Sequence, residues 1–70
     1  MSNWSHKIHI GTKRLSLRKT IKIGRIFLSS GEQLAEVKSA TFSGVKQLLR
    51  QTGLVPTNLV INKKDTYYAI

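Results

Sequence analysis

Apolar and polar residues alternate through most of the first 23 positions. Trp4, Ile8 and Ile10 share one parity while Ser5, Lys7 and His9 share the other, the pattern of a half-buried strand. Gly11-Thr12-Lys13 reads as a turn. From Arg14 the alternation resumes, with Leu15, Leu17, Ile21 and Ile23 on one side and Arg14, Ser16, Arg18, Thr20 and Lys22 on the other. Lys19 breaks the apolar side and marks a bulge, a strand end or an exposed edge. Residues 4–23 are therefore expected to form a β-ribbon with one oily and one cationic face.

At Gly24 the apolar parity switches, because Ile26 and Leu28 fall on even positions. A glycine at a phase change suggests a bulge or a sharp bend. Ser29-Ser30-Gly31-Glu32 is a turn cluster between Arg25–Leu28 and Gln33–Lys38, which gives a second hairpin.

The pattern then changes period. Phe42, Val45, Leu48 and Leu49 fall on one face of a helix over residues 41–52. Ser39 or Thr41 can accept bonds from its first free N–H groups, and Gly53 suits the left-handed residue beyond its end. Gly44 weakens its first turn by about 1 kcal/mol relative to Ala. After the connector 54–57, Leu59–Ile61 and Thr66–Ile70 read as strands of a C-terminal hairpin over residues 58–70.

The predicted order is β-β-β-β-α-β-β in one domain spanning residues 1–70. That order implies an α+β fold: a small antiparallel sheet of four to five strands, from two or three hairpins, packed on a single α-helix. Seventy residues bury little surface on folding, so stability is marginal and self-association would relieve the shortage. A homodimer is the expectation.

Charge changes the picture more than size does. Twelve Lys and Arg stand against three Asp and Glu, for a net +9. Lys7, Lys13, Arg14, Arg18, Lys19, Lys22 and Arg25 all precede the first carboxylate, Glu32. So one-sided a field attracts polyanions and is weakened by salt. The chain has no Cys, hence no disulfide and no thiolate metal site. No apolar run reaches the ~20 residues that cross a bilayer, and the N-terminal segment lacks the apolar core of a secretory signal. A cytoplasmic protein without membrane insertion is expected.

Catalytic chemistry finds few candidates. Glu36-Val37-Lys38 has the Glu-x-Lys spacing of many metal-dependent nucleases, but no acid precedes Glu32 to complete such a set. His6 and His9, three apart on a strand, face opposite ways and make no metal pair. No Gly-x-Ser-x-Gly elbow and no glycine-rich phosphate loop is present. Neither an enzyme nor a cofactor is expected.

Nucleic-acid binding, to DNA rather than RNA, is the function these residues favour. Arg14, Arg18 and Lys22, about 13 Å apart along an extended strand, would line one ribbon face, widened by Lys7 and His9 on the paired strand. Arg25 continues the run, and Lys46 and Arg50 on the outer helix face are secondary contacts. Among the aromatic residues, Phe27 and Phe42 are expected in the core. Trp4 and one of Tyr67 or Tyr68 remain as exposed stacking platforms. The alternative is a protein-binding regulator or inhibitor, of the antirepressor or host-enzyme-inhibitor kind carried by mobile elements, that covers an acidic partner surface. Its free strand edge would be Trp4–Ile10 or Tyr67–Ile70.

Overall fold

The computed structural model describes residues 3–70. Four strands, β1 (His6–Ser16), β2 (Lys19–Leu28), β3 (Gln33–Ser39) and β4 (Thr66–Tyr68), form one antiparallel sheet in the order β3-β2-β1-β4. A single helix, α1 (Phe42–Gln51), packs on one face. The fold is the small α+β arrangement that the patterning predicts.

Register decides which side chains meet. From His6↔Leu28 to Arg14↔Thr20, β1 and β2 pair even positions with even and odd with odd. Paired residues share a face, so Ile8 and Ile10 lie with Ile26 and Gly24 on the helix side. There Ile8, Ile26, Val45, Leu49, Val55, Ile61 and Tyr68 form the core, with Ile10, Ala35, Val37, Phe42, Leu54 and Leu59 packed against it. The odd residues of both strands face the other way, where no helix covers the sheet.

Several expectations change here. Gly11-Thr12-Lys13 is no turn: Gly11 pairs with Ile23 inside β1, and the chain reverses at Leu17-Arg18. Lys19 is a strand end, paired with Ser16 beside a register shift. Gly24 makes no bulge, since its pairing with Ile10 and Val37 is unbroken. It lies beneath α1, where a Cβ would come within 2.7 Å of Val45 Cγ1 and 3.2 Å of Leu49 Cδ1. The parity switch there records a change of face, with Ile21 and Ile23 on the uncovered side and Ile26 in the core.

The helix begins and ends as its caps dictate. Thr41 Oγ1 accepts from Gly44 N at 3.0 Å, and Gly53 takes φ +78° just beyond the end. The C-terminal hairpin does not form. Leu59–Ile61 lies outside the sheet, and β4 pairs with β1 instead. Two groups hold the intervening chain: Arg50 donates to the carbonyls of Thr57 (2.7 Å) and Leu59 (2.9 Å), and Asn62 N donates to Thr66 Oγ1 (2.8 Å).

Candidate nucleic-acid interface

Beyond Lys22↔Ser39 on one side and Ile8↔Thr66 on the other, β1 and β2 have, among the described residues, only each other as neighbours. The pair continues as a two-stranded arm to its turn at Leu17-Arg18. From Thr12 to the turn it runs about 17 Å at the antiparallel rise per residue. Residues 12–20 are all exposed, and the molecule measures 42 × 22 × 17 Å. The arm has no core behind it. Cross-strand hydrogen bonds and a few local side-chain bonds hold it: Lys22 Nζ donates to Thr12 Oγ1 at 2.7 Å, and the Arg14 guanidinium donates to the carbonyls of Ser16 (3.2 Å) and Leu17 (3.4 Å).

Five cations line this arm: Lys13, Arg14, Arg18, Lys19 and Lys22, with no acid between positions 12 and 22. Among the described residues none of the five has a carboxylate within ion-pair distance. Arg14 and Lys22 share the helix-side face on adjacent strands, and Arg18 stands at the turn. The expected single file with a 13 Å spacing is therefore folded back on itself. Lys13 and Lys19, which are not among the expected contacts, join the cluster because the chain turns at 17–18. The turn position is the signal that would have found them.

Lys7 and His9 do not widen the face of Arg14 and Lys22. They pair with Phe27 and Arg25, on the uncovered side of the sheet. There Arg25 donates to Glu36 at 2.7 Å and His9 Nδ1 lies 2.8 Å from Asp65. The Arg25 hydrogen bond, helped by the charges of Arg25, Lys38 and Lys13, holds the Glu36 carboxyl below its usual range. The His9 contact, with the charge of Lys7, does the same for Asp65. Two of the three acids thus sit inside a cationic face.

Phe27 is also on this side rather than in the core, because it pairs with Lys7, whose Nζ lies 5.8 Å from its ring centre. Tyr67 is half exposed and Tyr68 buried, the opposite facing that adjacent strand positions require. Trp4 meets Tyr67 edge-on at 4.9 Å rather than joining Ile8 and Ile10 in the core.

Of the helix residues, Phe42 lies at the base of the arm, where it lines a pocket with Ile10, Thr12, Lys22 and Lys63. Lys46 Nζ sits 5.0 Å from the Phe42 ring centre, and Lys63 approaches the same ring at 5.9 Å. Arg50 spends its guanidinium on the two carbonyls that fix the loop after α1. His6 stacks on Tyr68 on the helix side while His9 is on the other, as strand spacing predicts. Among the described residues no three His, Cys, Asp or Glu side chains gather in a way that holds a metal ion. Among the described residues no helix is long and apolar enough to cross a membrane. No protein-family model, curated protein or solved structure matches this chain.

Proposed function

We propose that the chain is a small, non-enzymatic nucleic-acid-binding regulator that engages DNA through its β1–β2 arm. The observation that carries this reading is the arm itself: a paired ribbon, exposed over residues 12–20 and half-buried at its base at Lys22, with five cations and no acid. Each cation placed on a phosphate releases condensed counterions, which drives binding without sequence readout. A two-stranded ribbon matches the width of the B-DNA major groove, whereas the deep, narrow major groove of A-form RNA excludes it. Arg14 and Arg18 on the arm, with Lys22 at its base, are the principal contacts, and Lys7 and Arg25 extend the positive surface onto the sheet.

Self-association, where it occurs, has the outer edges of β3 and β4 and the unpaired edges of the arm to use, since β4 covers β1 only over His6–Ile8. The test of the main reading is a titration of labelled duplex DNA at low and moderate salt. Binding with a steep salt dependence is expected. No binding at low salt, together with retention of one acidic protein from nuclease-treated lysate, would move the arm to a protein partner.

A further inference from the structure

The uncovered sheet face ends, at the opposite pole from the arm, in a shallow cavity of about 300 Å³. Trp4, Lys7, Phe27, Leu28, Ser29 and Gly31 line it. We infer that this cavity takes one unpaired nucleobase of the bound nucleic acid, stacked among Trp4 and Phe27 with its phosphate at Lys7. The inference rests on the nucleic-acid reading above and adds to it a preference for strands with an unpaired base.

Four features point to that ligand. The register shared by β1 and β2 brings Phe27 to the wet side of the sheet, where a half-buried ring serves no core. Tyr67 meets Trp4 edge-on and braces its ring. Gly31, at φ +99°, leaves the rim of the turn open, with nothing within 4 Å of where a Cβ would stand. Lys7 holds an ammonium beside the Phe27 ring. A purely apolar side chain entering here would strip water from that ammonium and give no counter-charge. A nucleotide brings a flat π-face and an anion together, and stacking on aromatic side chains accepts any base. From Lys7, the same face runs past the His9–Asp65 and Arg25–Glu36 pairs to Lys13, the direction a backbone takes to reach the arm.

Trp4 is the sole tryptophan, so its emission reports directly on this cavity. The experiment compares a blunt duplex, the same duplex with a single-stranded overhang, and a free thymidine oligonucleotide. End-label anisotropy reads binding and Trp4 emission reads occupancy. Expected is saturable quenching by the overhang and the free strand but not by the blunt duplex. Binding of the overhang DNA should weaken about fivefold or more in Phe27→Leu and in Lys7→Gln. A circular dichroism melt would show that both variants remain folded, Lys7→Gln being the milder change. Binding of all three DNAs with unchanged Trp4 emission, or quenching that survives both substitutions, overturns the base site and leaves the arm reading intact. Absence of any anisotropy change at low salt overturns the arm reading as well.

Discussion

Replacing Arg14 and Arg18 together by Ala removes two of the five arm cations while touching nothing in the core. Both side chains are exposed, and the bonds they give up are those from Arg14 to the carbonyls of Ser16 and Leu17. Stability should therefore change by no more than about 0.5 kcal/mol. Binding should change far more. If each arm cation neutralises one duplex phosphate, log K falls against log salt with a slope of about −4.5, and with two cations gone the slope is about −2.7. Between ~50 and ~200 mM salt the native protein would lose about 500-fold in affinity and the variant only about 40-fold. The assay is anisotropy of a labelled duplex over that salt range, with Lys64→Ala as a single-charge control off the arm. An unchanged slope in the arginine variant, or an equal drop in the control, refutes the arm as the contact surface.

Three further outcomes follow from the packing. Gly24→Ala places a methyl group 2.7 Å from Val45 Cγ1 and should cost about 1–3 kcal/mol in a denaturant melt, so a neutral result would mean that α1 does not lie over Gly24. Arg50→Gln releases the carbonyls of Thr57 and Leu59, and should lower the melting temperature while leaving the slope of log K against log salt unchanged; a flatter slope would place Arg50 on phosphate. Tyr68→Phe removes the hydroxyl that donates to the Leu54 carbonyl at 2.8 Å and should cost about 1 kcal/mol at neutral pH. Burial raises the Tyr68 pKa, so the stability it contributes is whole below the ordinary phenol range and falls as pH rises through the folded value. The gap in melting temperature between native protein and variant should therefore narrow above about pH 10; parallel curves would contradict the burial.

Asp65 gives the complementary acid test. His9 lowers its pKa, so the stability this pair supplies is present above the ordinary carboxylate range and is lost as pH falls through the folded value. His9→Ala should blunt that acid loss, which a melt series from neutral to acid pH would reveal.

The parts of the fold that the sequence announced are those where one face is dry and the other wet. Ile8 and Ile10 against Lys7 and His9, and Phe42, Val45 and Leu49 along α1, leave little choice of orientation. Thr41 and Gly53 bound the helix by local chemistry alone. Where both faces meet water, alternation loses its meaning. Along the arm Leu15 and Leu17 are 48% and 88% exposed, so nothing apolar pins the turn, and its position at 17–18 follows from pairing further down the ribbon. Gly24 misled for a different reason: its constraint comes from Val45 and Leu49 on a helix much later in the sequence, which no local pattern records. The same holds for Phe27. As an apolar residue on a strand it belongs by composition in the core, and only the register of β1 with β2 places it on the open face. The cationic run, by contrast, was visible from the start. What the register added was the division of those charges between an arm carrying Arg14, Arg18 and Lys22 and a sheet face carrying Lys7 and Arg25.

The most direct measurement is the map of backbone amide shifts when short duplex DNA is added to the free protein. The account predicts cross-strand contacts between Thr12 and Lys22 and between Arg14 and Thr20 before DNA is added. On addition, the largest shifts should fall on residues 12–22. An arm without those contacts in the free protein, or shifts concentrated on α1 with 12–22 unmoved, would contradict it.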